Sequence, residues 1–190
     1  MTMAADLTPP PGEEPILLDA MLKELVFGLY WDGPSEDETP RDPADLDAWC
    51  LLLDAAGQVI EAVHPARSRN DEGSVVHTGD SRTGAGAWDD ERIFVFLKPL
   101  PGHVAAVGFA VVSANGLAFD RVPGASCHLS DPASDKPLLR VDLTALTGAT
   151  VHWAATLERH DGHWRIASRH PHGDALAQLQ RLVRPAAKNA

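Results

Sequence analysis

Residues Asn70 to Leu97 read NDEGSVVHTGDSRTGAGAWDDERIFVFL, and two patterns meet there. Asn70 to Glu91 places Asp80, Asp89, Asp90 and Glu91 among Gly79, Gly84 and Gly86, with the oxygen donors Thr78, Ser81 and Thr83 between them. Glycine lets the backbone turn tightly and brings its carbonyls close to a bound object. The run Asp89-Asp90-Glu91 is self-repelling, at about 1 kcal/mol per pair in contact in water and more as solvent is excluded. A divalent cation reverses the sign of that repulsion. An oxygen-only donor set on a flexible loop suits Ca²⁺, which takes about 6–8 oxygens. The loop is therefore expected to hold calcium. An EF-hand is excluded: counting from Asp80, Glu91 falls at the twelfth position, but Arg82, Gly84 and Ala85 occupy positions that need acids or the invariant glycine.

The second pattern is RIFVFL, Arg92 to Leu97, a β-branched and aromatic run that reads as a strand. Working outward, Val104 to Ser113 is apolar throughout and is expected to be a central strand buried on both faces. Leu25 to Trp31 reads as a buried strand stopped by Asp32-Gly33-Pro34, and Ile16 to Leu18 as a short one. Asp45-Leu46-Asp47 leads into a strand ending at Leu53, which turns at Ala55 to Gly57 and pairs with Gln58 to Val63. Asn115-Gly116 is a hairpin signal, with strands expected over Phe119 to Leu129 and Leu138 to Leu143. Val151 to Arg159 and His163 to Ser168 flank the turn His160-Asp161-Gly162. Leu176, Leu179, Leu182 and Val183 recur at helical spacing. The expected fold is all-β: a β-sandwich of two mainly antiparallel sheets closed by a short C-terminal helix. One domain over residues 15–185 is expected, between a Pro-rich tail at 1–14 and a short tail at 186–190.

At 190 residues and 44% hydrophobic content, the chain can bury a substantial core. A net charge of −11 argues against direct binding to nucleic-acid phosphate. No apolar run approaches the roughly 18 residues needed to span a bilayer, and the N-terminus lacks the features of a secretory signal. Two distant cysteines, Cys50 and Cys127, form no disulfide framework and fit a reducing cytoplasm.

Four segments carry a resemblance to the TerD family of tellurium-resistance and stress proteins: Leu29-Tyr30-Trp31-Asp32, Asp45-Leu46-Asp47-Ala48, HTGDSRTGAGAWDDE from His77 to Glu91, and Arg159-His160-Asp161-Gly162-His163-Trp164. The third is the most specific, since its spacing holds over 15 residues. The resemblance implies a calcium-binding, non-enzymatic β-sandwich protein of the stress response. It implies metal ligands among Asp32, Asp45, Asp47, Asp80, Ser81, Thr83, Gly84, Asp89, Asp90 and Glu91. It also implies partners among other tellurium-resistance proteins at the inner membrane surface. Pro43, Ser81, Ala87 and Trp88 depart from the family pattern, the first three where it offers an oxygen ligand. One ion, two, or a lost site are all compatible with these departures. At period two, Asp45 and Asp47 share one face of their strand. Asp89 and Glu91 would share a face too, if the following strand begins early.

Other chemistries are disfavoured. Nine histidines invite zinc, but no cysteine lies near His160, His163, His170 or His172. No nucleophile elbow, P-loop, dinucleotide fingerprint or His-Glu-x-x-His is present. Ser126-Cys127-His128 puts a thiol beside an imidazole, but strand neighbours face opposite sides. Trp31, Trp49, Trp153 and Trp164 read as core, whereas Trp88 lies in a loop and reads as a candidate partner anchor. The remaining alternatives are an interaction module without calcium and a metal-assisted hydrolase.

Overall fold

A computed structural model describes residues 14–34, 43–86, 88–134 and 136–183. Residues 1–13 of the expected 1–14 tail, the expected tail at 186–190, most of the 35–44 loop, and Ala87 lie outside them. The described strands are β1 (Ile16–Leu17), β2 (Glu24–Tyr30), β3 (Leu46–Leu53), β4 (Val59–Val63), β5 (Val75–His77), β6 (Glu91–Phe96), β7 (Ala106–Ser113), β8 (Ser126–Asp131), β9 (Lys136–Asp142), β10 (Val151–His160) and β11 (His163–Ser168); helix α1 (Ala175–Val183) follows.

They form two antiparallel sheets, one ordered β1-β11-β10-β7-β3-β4 and the other β5-β6-β2-β8-β9. Period-two alternation selects which side chains meet between them. Leu25, Phe27 and Leu29 of β2 and Ile93 and Val95 of β6 face Cys50, Leu52, Phe109 and Val111 in one buried cluster. The Phe27 and Phe109 rings lie 5.1 Å apart, centroid to centroid.

β7 is buried at every position, as its uniform apolarity predicts. Its second face is covered by α1. Ala175 and Leu179 pack on Trp49, Leu51, Leu53, Ala110 and Trp153, in a second cluster outside the sandwich. Gln178 staples the helix to the β3–β4 hairpin: its Oε1 accepts from Val59 N–H at 2.8 Å, and its Nε2 donates to the Gly57 carbonyl at 2.9 Å. Trp49 and Trp153 are thus core residues beneath the helix, while Trp31 and Trp164 belong to the inter-sheet core.

Two expectations are corrected. Asn115-Gly116 makes a turn but no hairpin, because both edges of β7 are already paired, with β3 and β10. The chain instead crosses to the other sheet. The expected strand from Phe119 is a 3-10 turn over Phe119–Arg121, and β8 begins only at Ser126. β5 was hidden inside the acidic stretch; a strand of 3 residues leaves no readable alternation.

Candidate metal centre

The acidic end of the sandwich is assembled by the β3 entry, the end of β2 and the loop from β5 to β6. Leu46 points into the core with no exposure, which sends its neighbours Asp45 and Asp47 to the opposite side. The long loop carries Asp80 to them. Carboxylate oxygens of Asp45, Asp47 and Asp80 all lie within 4.8 Å of one another. Burial pushes the Asp47 carboxyl up to about 7, with the charges of Glu91, Asp45 and Asp80 adding to the effect. Asp80 also lies 3.4 Å from the exposed Arg82 Nε.

Glu91 is fully buried behind this trio. Its Oε2 accepts from Ala48 N–H at 2.7 Å and its Oε1 from Ser81 N–H at 3.1 Å. His77 Nε2 lies 3.1 Å from the same Oε2, and His77 Nδ1 accepts from Gly79 N–H at 3.0 Å. An Nδ1 that accepts a hydrogen bond carries no proton, so Nε2 is the donor to Glu91. Glu91 therefore ties β3, β5 and the loop together through three donors. His77 thus supports the geometry of the loop.

The other expected site residues lie elsewhere at the same end. Asp90 closes the loop onto β2: Oδ2 accepts from Trp31 N–H and Oδ1 from Gly86 N–H, each at 3.0 Å. Its carboxyl is raised by burial, against those two bonds, with further upward pressure from Asp89 and Asp32. Asp32 accepts from the Tyr30 hydroxyl at 2.7 Å, and that bond raises the phenol in turn. Thr83 and Gly84 present their carbonyls to Gly33, where a Cβ would meet them at 2.9 and 2.8 Å. Gly84 has φ +60°, and a Cβ there would strike the Trp31 indole at 2.4 Å, so only glycine fits.

Asp89 departs from expectation. It does not share a face with Glu91, because β6 begins at Glu91 and the alternation does not reach back to Asp89. It lies instead on the outer face of the five-stranded sheet, 3.0 Å from His128 Nε2 and 3.7 Å from Arg92 Nε. His128 Nδ1 is in turn 2.6 Å from Ser130 Oγ. This Ser130–His128–Asp89 chain went unseen in the sequence, since Asp89 lies 39 positions from His128. Its one legible signal was the outward face of β8, shared by His128 and Ser130. Cys127, between them and the core, is buried with its thiol pushed up to about 12 by desolvation. It is far from the nucleophilic thiolate state. Trp88 is 79% exposed.

Chemically, the trio is a hard, oxygen-only donor set, with no cysteine and no imidazole contributing a ligand atom. It suits a calcium-like cation better than zinc.

Residues 12–181 match the TerD domain. The chain is 36% identical to the tellurium resistance protein TerZ of Serratia marcescens, over 75% of this chain and 77% of that protein. It is 34% identical to the tellurium resistance protein TerD of an Alcaligenes species, over 76% and 78% of the two chains. It is 32% identical to general stress protein 16U of Bacillus subtilis, over 77% and 79%. Among solved structures, a homologue of the telluride resistance protein TerD from Streptomyces coelicolor A3(2) superposes with a TM-score of 0.65, covering 75% of this chain and 85% of that one at 24% identity. That likeness bears on the fold alone. Family match and sequence relatives agree with one another and with the sandwich, and the chain belongs to the TerD family of tellurium-resistance and general stress proteins.

Proposed function

We propose that this protein is a calcium-binding, non-enzymatic stress-response module that works through protein contacts. The observation that carries the reading is the convergence of Asp45, Asp47 and Asp80, three carboxylates from two separate segments, within 4.8 Å of one another. At an effective dielectric near 20, one like-charge pair about 4 Å apart costs roughly 4 kcal/mol, whereas an exposed ion pair such as Asp80–Arg82 returns only about 0–1 kcal/mol. A dication among the three reverses the sign of that repulsion. Asp45, Asp47 and Asp80 would hold the ion. It would supply neutralising charge and a rigid link between the β3 entry and the long loop, the means by which calcium orders protein segments.

Calorimetric titration with Ca²⁺ tests the reading. Saturable binding by the wild type, lost in Asp47→Asn, supports it; no heat at millimolar Ca²⁺ and no change in melting removes it. A second reading, a contact module that has lost calcium, draws on the donors already serving the other acids: Glu91, Asp90 and Asp89 are each held by backbone N–H groups or by imidazole. It predicts identical partner capture with and without chelator.

The names of the relatives motivate a role in tellurium or general stress resistance; we further propose cytoplasmic partners among other tellurium-resistance proteins at the inner membrane surface. Exposed Trp88 is the anchor we assign to such contacts. Trp88→Ala is expected to abolish partner capture while calcium affinity is retained. Among the described residues no helix is long and apolar enough to cross a membrane.

A further inference from the structure

Three of the four segments on which the family resemblance was read gather at the acidic end. The fourth, Arg159 to Trp164, lies at the other end of the sandwich, where β2 begins and β6 finishes, and takes no part in the acidic site. There it walls a cavity of about 390 Å³ together with the segment joining β1 to β2 and the end of β6. Arg159 is held firmly. Its Nε donates to the Val104 carbonyl at 3.0 Å, and its Nη2 to the Leu100 and Pro101 carbonyls at 3.0 and 3.2 Å. Its guanidinium lies 4.6 Å from the centre of the Trp164 ring. These partners orient the fork without neutralising it, and among the described residues no carboxylate lies in ion-pairing range of Arg159. Burial accordingly lowers its pKa. Lys23 and Lys98 add two exposed cations at the rim. The one carboxylate in the lining, Asp19, accepts from Met21 N–H at 2.8 Å. This cationic concavity belongs to a chain of net charge −11. Apart from His163, its remaining side-chain walls are apolar, chiefly Leu18, Leu22, Leu97, Trp164 and Met21, the last 77% exposed.

We propose that this cavity binds a small amphiphilic anion, a single carboxylate carried on a short apolar body. Arg159, Lys23 and Lys98 face the charge, and Leu18, Met21 and Leu97 surround the body. The volume lies in the range of small-molecule sites, which combine apolar walls with a few placed polar groups. A guanidinium already fixed by other bonds loses little further freedom on meeting a carboxylate. If Arg159 serves only to staple the 98–105 loop, the two rim lysines have no part in it, which makes them the discriminating positions.

The test is a titration of the full chain with hexanoate in buffer containing chelator, which separates the outcome from the calcium reading. Amide ¹H–¹⁵N shifts are followed at residues 18–23, 97–98 and 159–164. Expected are saturable shifts confined to these segments, none with the neutral analogue hexanol, and roughly tenfold weaker binding in the double variant K23A/K98A with an unchanged urea midpoint. Shifts that never saturate, equal binding of hexanol, or undiminished binding by the double variant would each overturn the proposal.

Discussion

Asp47 concentrates the electrostatic tension of the molecule in one carboxyl. Held at about 7, it binds a proton in the folded chain over a range where the unfolded chain, near 3.9, does not. A carboxyl raised in this way gives its full stabilisation below about pH 4 and loses it as pH rises to about 7. The calcium-free protein is thus expected to lose stability between these limits, and Asp47→Asn to flatten that slope in urea melts taken across pH. Calcium affinity should move oppositely, rising with pH until Asp47 is fully ionised, because the ion competes with the proton. Glu91 is the contrasting case, an acid with three donors and no exposure. Glu91→Gln turns an amide N–H₂ toward donors that need an acceptor. About 1–3 kcal/mol of destabilisation is expected in equilibrium unfolding. Sequence alone marked both residues as acids of one site. It did not separate the half-buried Asp47 from the fully buried brace Glu91, because that distinction depends on β3 and β5 closing over the loop.

Among the elements, α1 closes the second buried cluster. Its residues Ala175 and Leu179 cover Trp49, Trp153 and the outer face of β7, which would otherwise present a contiguous apolar surface to water. Leu179→Ala is expected to destabilise by about 2–5 kcal/mol, read from the urea midpoint, since the cavity it leaves lies against two indoles. Gly108 sets how closely the central sheet meets one of them: a Cβ there would lie 2.1 Å from Trp153 Cζ2. Most strands were readable because apolar alternation or uniform apolarity states burial directly, as in β2, β6 and β7. The helix was readable from the spacing of Leu176, Leu179 and Leu182. What escaped was set by pairing across the fold. The fate of Asn115-Gly116 turns on whether β7 has a free edge, and β5 exists because β6 offers one. Asp89 faces His128 because β8 lies beside β2, a neighbour relation that no local pattern encodes.

At the scale of the whole molecule, the sandwich separates charge along its length, with crowded carboxylates at one end and Arg159, Lys23 and Lys98 at the other. The packed sheets hold the acidic end in shape, so a cation that binds there adds its binding energy to folding. Stabilisation then grows as RT ln(1 + [Ca²⁺]/Kd), about 2.7 kcal/mol at a hundredfold excess over Kd. The same end of the sandwich held most of what the sequence made legible about the site, since the acids are dense enough to be noticed before their partners are known. The direct test is calcium calorimetry paired with thermal melting of the wild type and of the triple variant D45N/D47N/D80N. Saturable heat and a raised melting temperature in the wild type are predicted, both absent in a triple variant that keeps its β-sheet circular dichroism. Equal calcium responses in the two proteins, or none in either, would contradict the placement of a cation among these three carboxylates.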